Sequence, residues 1–153
     1  YIQAIIVLFI FLSDRISKLI IINLDKNNLS NEIYSSKFLN IQLIWNEGIA
    51  FGLFSYSQGN LYNILTALII FIIFIIIFMT LNSEGIKKYG FIMILGGALG
   101  NIFDRIVYKA VPDFIDFHVE NFHWFIFNVA DIFITIGVFF MIIIEISNKN
   151  KKT

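Results

Sequence analysis

The stretch Leu61-Tyr-Asn-Ile-Leu-Thr-Ala-Leu-Ile-Ile-Phe-Ile-Ile-Phe-Ile-Ile-Ile-Phe-Met-Thr-Leu81 decides the class of fold. It carries no charge, and only Tyr62, Asn63, Thr66 and Thr80 interrupt its apolar side chains. A hydrocarbon layer of roughly 30 Å is crossed by about 20 helical residues. A helix that is apolar on every face has no side to turn to water. The stretch therefore reads as a membrane span, set at residues 60–81. Comparable runs predict further spans over residues 2–24, 89–108 and 127–146. The chain of 153 residues, 58% of them hydrophobic, is expected to be one integral membrane domain, all-α, with four transmembrane helices.

The formal net charge is zero, so no basic surface speaks for nucleic acid. With no cysteine there is no disulfide, thiol nucleophile or thiolate metal site. The first run opens on Tyr1, not Met, so a few residues are expected to precede it. It is too long for the apolar core of a signal peptide, lacks a small-residue cleavage site and carries Asp14, Arg15 and Lys18. It reads as a retained span.

Lysine bias in the short loops sets the orientation. Lys87 and Lys88 lie in loop 82–88, and Lys149, Lys151 and Lys152 in the tail. The other side has Lys26, Lys37 and Lys109, diluted by Asp25, Glu32, Glu47, Asp116 and Glu120. Both termini are placed in the cytoplasm, and residues 25–59 and 109–126 face outward. In Leu39-Asn-Ile-Gln-Leu-Ile-Trp45 apolar residues occupy the odd positions, which predicts a half-buried strand. Asn46-Glu-Gly48 reads as a turn, with Ile49–Phe54 returning as a second strand. A small surface sheet over about 38–55 is expected, with Trp45, Phe51 and Phe54 at the interface. Residues 109–126 are expected as a loop.

Ionisable groups inside spans cost about 2.5–3.5 kcal/mol by insertion scales, so each is a functional candidate. At about 1.5 Å per residue, Asp104 lies near the outer end of the third span and Asp131 near the outer start of the fourth. Asp113 and Asp116 lie in the segment between them. The carboxylates gather at one level. Asp14 and Lys18, four residues apart, can pair on their helix, and Asp104 is expected to be held by a cation or by hydrogen-bond donors. Asp131 has no basic residue within a turn of its own helix, and Asn128 shares its face. Its natural partner is Asp113 or Asp116, because two adjacent carboxylates share one proton and act as acid and base together. Residue spacing leaves Asp113 and Asp116 level.

Other hydrolytic chemistries find little footing. There is no His-Glu-x-x-His, and His118 and His123, in a segment rich in aromatics, read as interfacial packing. Ser17 and Lys18 diverge by about 100° on a helix and form no dyad. No Gly-x-Ser-x-Gly elbow occurs. Gly96-Gly-Ala-Leu-Gly100 reads as a close helix approach. A proton-coupled transporter would want carboxylates at several depths, and a scaffold subunit would leave Asp131 without a purpose.

Five blocks, Asp14-Arg-Ile-Ser-Lys18, Asn46-Glu-Gly-Ile-Ala-Phe51, Gly96-Gly-Ala-Leu-Gly-Asn-Ile-Phe-Asp-Arg105, Val111-Pro-Asp-Phe-Ile-Asp-Phe117 and Phe127-Asn-Val-Ala-Asp131, stand in the order seen in the lipoprotein signal peptidases (signal peptidase II). Over almost its whole length the chain resembles that family. The resemblance implies an aspartyl endopeptidase of the bacterial inner membrane, acting on its outer, periplasmic side. It implies cleavage of diacylglyceryl-modified prolipoproteins just before the lipid-modified cysteine, with no cofactor and no metal. It implies Asp113 and Asp131 as the catalytic pair. Asp14, Lys18, Asn46, Gly48, Gly97, Asn101, Asp104, Arg105, Asn128 and Ala130 are implied as substrate-binding or supporting residues. Membrane lipid and a globomycin-type inhibitor are the further partners it implies; a monomer is expected. Two positions depart from the family pattern: Pro112 stands where an aliphatic residue is more usual, and Trp45 where a basic one is frequent.

Overall fold

The computed structural model describes residues 1–27, 32–48, 59–120 and 122–149. Four helices, α1 (Ile2–Lys26), α2 (Gly59–Leu81), α3 (Lys87–Tyr108) and α4 (Val129–Lys149), carry most of the chain. Four strands, β1 (Tyr34–Ser35), β2 (Leu39–Asn46), β3 (Val111–Val119) and β4 (Phe122–Phe127), form one antiparallel sheet in the order β1-β2-β3-β4. Three helical stretches, Tyr62–Leu81, Lys87–Tyr108 and Val129–Asn148, are long and apolar enough to cross a membrane. The strand expected over Ile49–Phe54 lies outside the described residues.

Helix α3 is the axis of the bundle, with α1, α2 and α4 packed on it. Half of its span is buried inside the protein, against 11% for α2, so α2 meets its surroundings on nearly every face. Small residues let the helices close on α3. A Cβ at Gly97 would sit 2.4 Å from the carbonyl oxygen of Ala130 on α4, and one at Gly100 would sit 2.5 Å from a carboxylate oxygen of Asp14 on α1. A Cβ at Gly96 would sit 2.9 Å from Ile10, so the Gly96-x-x-x-Gly100 spacing serves the close approach of α1, and Gly97 that of α4. Helix α1 turns Ile10, Asp14, Lys18 and Ile21 inward at helical spacing, while Ile5, Leu8, Phe9, Leu12 and Leu19 face out.

Among the described residues, 109–120 and 122–126 are not a loop but mostly strand. Lys109 leaves α3 in the left-handed region (φ 60°), and the chain runs straight into the β3–β4 hairpin, with Glu120 at φ 54° in its turn. The strand was hidden because Val111, Pro112, Asp113, Phe114 and Asp116 are all buried; a strand covered on both faces shows no alternation. Pro112 fits at its start, beyond the last β4 partner Ile115, where only β2 lies alongside.

The β2–β3 register shifts by one residue between Ile41 and Ile44, so two residues of β2 oppose one of β3. The shift decides where Asn46 points. Asn40 pairs with Asp116, whereas Asn46 pairs with Val111, on the same face as Asp113. Without the bulge, Asn46 would follow Asn40 and point away from Asp113.

Candidate active site

Asp131 is placed by helix α4's own beginning. Asn128 caps the helix: its Oδ1 accepts the backbone N–H of Asp131 (3.2 Å), and the Asp131 carboxylate accepts the backbone N–H of Asn128 (3.1 Å). This is a capping box written with Asn and Asp. It explains why the helix begins at Val129, two residues after the expected start, and Asn128-x-x-Asp131 is the signal that marks that start. The next orphan N–H, that of Ala130, is donated to Asp14 Oδ1 (3.0 Å). Ala130 itself is fully buried against Gly97 and Gly100, leaving no room for a larger side chain.

Asp113 arrives from β3. Because β3 is a strand, Asp113 and Asp116, three residues apart, point to opposite faces. Asp113 shares a cavity of about 230 Å³ with Asp131, lined also by Asn46, Asn101, Arg105 and Asn128. Asp116 lies behind the sheet, accepting from Gln42 Nε2 (3.2 Å) and contacting His123 Nδ1 (2.9 Å). The tie that spacing left open is thereby separated in space: of the two, only Asp113 lines the cavity of Asp131.

Three asparagines connect the pair. Asn128 Nδ2 donates to Asp113 Oδ1 (2.6 Å) and to Asn101 Oδ1 (3.1 Å). Asn46 Nδ2 donates to Asp113 Oδ2 (2.9 Å), and Asn101 Nδ2 to Asp131 Oδ1 (2.8 Å). Asn46 Oδ1 also accepts the N–H of Gly48 (2.9 Å), and the Gly48 carbonyl accepts from Arg105 Nη2 (3.1 Å). Among the described residues no cation lies within ion-pairing distance of either aspartate. Burial pushes the Asp113 carboxyl up to about 6, and the neighbouring Asp131 adds to the rise. Hydrogen bonds from Asn46 and Asn128 and the charge of Lys18 oppose it.

Asp14, Lys18 and Asp104 form a separate knot. Lys18 Nζ donates to Asp14 Oδ2 (2.7 Å), Asp104 Oδ2 (2.7 Å) and Asn101 Oδ1 (2.9 Å), and Arg15 pairs with Asp104. Lys18, Asp14 and Asp104 are wholly buried. The cations that hold Asp104 come from α1 and not from its sequence neighbour Arg105. Ser17 Oγ is engaged by the Asp14 carbonyl (2.8 Å), away from Lys18 Nζ. The sequence did not mark Val111, Ile134 and Thr135 as lining the cavity, or Arg15 as part of the knot. A larger cleft of about 670 Å³ between α1, α2 and α3 is lined, among the described residues, by apolar side chains with Gln3 and Thr80.

Fold and cavity together define a bundle of apolar helices with a carboxylate pair, Asp113 buried and Asp131 half-buried, beneath a small sheet. Residues 6–147 match the family model described as "Signal peptidase (SPase) II". The chain is 56% identical to "Lipoprotein signal peptidase" of Pelagibacter ubique (strain HTCC1062), over all of this chain and 92% of that protein. It is 40% identical to the protein of the same name from Francisella tularensis subsp. novicida (strain U112), over 76% of this chain and 74% of the relative. A solved structure described as "Bacterial membrane enzyme structure by the in meso method at 2.3 A resolution" superposes with a TM-score of 0.81 at 27% identity. That superposition covers 99% of this chain and 91% of the other. The chain belongs to the signal peptidase II family, proteases that remove signal peptides from prolipoproteins.

Proposed function

We propose that Asp113 and Asp131 are the catalytic pair of this protease and that Asn128 is the residue that sets them against each other. The observation that carries the reading is the double grip of Asn128, on Asp113 through its amide and on Asp131 through its backbone N–H and Oδ1. The roles follow from the surroundings. Asp131 receives two N–H donors at a helix N-terminus, where negative charge is favoured, and acts as the base. Asp113, with its carboxyl raised to about 6, carries the proton. Asp131 takes a proton from water, the resulting hydroxide attacks the scissile carbonyl, and Asp113 protonates its oxygen. When the tetrahedral intermediate collapses, Asp131 passes the water's proton to the leaving amine, and Asp113 takes back the hydroxyl proton as the carbonyl re-forms. Arg105, held at the cavity wall by Gly48, is the candidate donor to the substrate backbone.

The reading extends to topology. Helix α1 is long enough to span (25 residues) and faces outward with apolar side chains while its charges turn inward. This supports four spans in a single membrane domain over residues 1–153, with both termini cytoplasmic. The sheet and the carboxylate pair then stand at the periplasmic face of the bacterial inner membrane. The substrate is a diacylglyceryl-modified prolipoprotein whose lipid stays among the spans, with the cut just before the modified cysteine. A globomycin-type inhibitor is expected in the same cavity, and the working unit is a monomer in membrane lipid. The test is a side-by-side assay of one precursor with and without its diacylglyceryl group. Cleavage of the lipidated form alone is expected; equal cleavage of both would overturn the substrate assignment.

A further inference from the structure

The face of the sheet opposite Asp113 carries a second constellation that the peptidase chemistry does not use. Asp116, His118 and His123 each offer one ligand atom, and these atoms lie within 4.8 Å of one another. His118 and His123 are directly paired across the β3–β4 hairpin, with rings stacked at 5.1 Å and 23° between planes. His123 Nδ1 lies 2.9 and 3.1 Å from the two oxygens of Asp116. From these contacts we infer that the hairpin binds a divalent first-row transition ion of the Zn²⁺ class through Asp116, His118 and His123.

Four features favour this over a plain histidine–carboxylate contact. First, Asp116 has no exposure to solvent, and Gln42 holds its carboxylate from behind, as second partners of metal-binding carboxylates do. Second, His118 Nδ1 is buried and has no hydrogen-bond partner among the described residues. A neutral imidazole nitrogen in that state lacks a partner which a metal would supply. Third, the stacked pairing across the hairpin sets both imidazoles side by side next to Asp116, where the two rings can reach one ion. Fourth, zinc bonds of about 2.0–2.1 Å imply ligand–ligand edges of about 3.3 Å in a tetrahedron. The His123–Asp116 separation already approaches that edge, and the His118 ligand atom, within 4.8 Å of the others, has to close by at most about 1.5 Å. His123 is half exposed, which gives the ion a way in and leaves the fourth position to water. The ion would pin β4 to β3, the strand that carries Asp113, from the side facing away from the reaction.

The test titrates the tag-free full chain, purified in detergent, with Co²⁺ and follows the visible absorption of ligand-bound cobalt. One Co²⁺ per chain, displaced by Zn²⁺, is expected. His118→Phe and His123→Phe, which keep the ring contacts, should each weaken binding about 100-fold, the upper end of what loss of a mere supporting partner costs. Asp113→Asn should bind as the wild type does. Zn²⁺ should also raise the unfolding midpoint of the wild type and leave that of the double His118→Phe/His123→Phe variant in place. Absence of a saturable cobalt signal in the wild type overturns the site. So does a signal that survives both histidine changes, or one lost in Asp113→Asn.

Discussion

Two groups of carboxylates meet at Asn101, and they are neutralised in opposite ways. On one side Asp14 and Asp104 are matched by Lys18 and Arg15, all four held between α1 and α3. On the other side, among the described residues, Asp113 and Asp131 are met by amide and backbone donors, from Asn46, Asn101 and Asn128. Asn101 spans the boundary, accepting from Lys18 and donating to Asp131. A carboxylate compensated by a cation holds helices together, because breaking a buried pair strands a charge. A carboxylate compensated only by neutral donors beside another carboxylate keeps a proton in play near neutrality. On the proposed catalytic reading the first group is the frame, and the second is the reagent.

The comparison can be broken in several ways. The largest effect is expected from Asp131→Asn or Asp113→Asn: a loss of at least about 10³-fold in cleavage of a lipidated precursor, in the upper range for acid–base groups. Lys18→Met should act through the frame, lowering stability by about 3–5 kcal/mol as Asp14 and Asp104 lose their shared cation. Its activity loss should track the unfolded fraction, read by thermal melts in detergent. Gly97→Ala forces α3 away from the Ala130 carbonyl and should cost about 1–3 kcal/mol. By shifting the start of α4 it should lower kcat even in the molecules that remain folded.

The smallest effect sharpens the assignment of roles. With Asp113 as the acid, kcat/KM should fall as pH rises through about 6, as its proton is lost. The Asn46 hydrogen bond favours the ionised form, so Asn46→Ala should move this limb to higher pH by about one unit, the worth of one hydrogen bond. A limb that stays in place would detach Asn46 from Asp113.

Much of the frame was legible in the sequence, and the site only partly. The uncharged run of α2 and the inward charges of α1 follow from hydropathy and helical spacing. The Gly96–Gly100 spacing gave the close approach of the helices. The β3–β4 hairpin was not legible, because alternation fails when Asp113 and Asp116 are both covered. That same failure kept the two aspartates level, since only strand parity sends them to opposite faces. The aim of Asn46 depends on the bulge in β2, which no residue pattern announces. The pairing of His118 with His123 likewise waits on the hairpin register.

The most direct measurement of the division between frame and reagent sets Asp113→Asn beside Asp104→Asn, with cleavage and thermal unfolding read on the same preparations. Folding raises the Asp113 carboxyl above its ordinary value, so its charge costs stability as pH rises from about 4 to about 6 and above. Asn at that position should therefore melt at or above the wild-type temperature at pH 7.5 while cleaving nothing. Asp104→Asn should melt well below it, by the equivalent of about 3–5 kcal/mol. A folded Asp113→Asn protein that still cleaves the lipidated precursor at the wild-type rate would contradict the account.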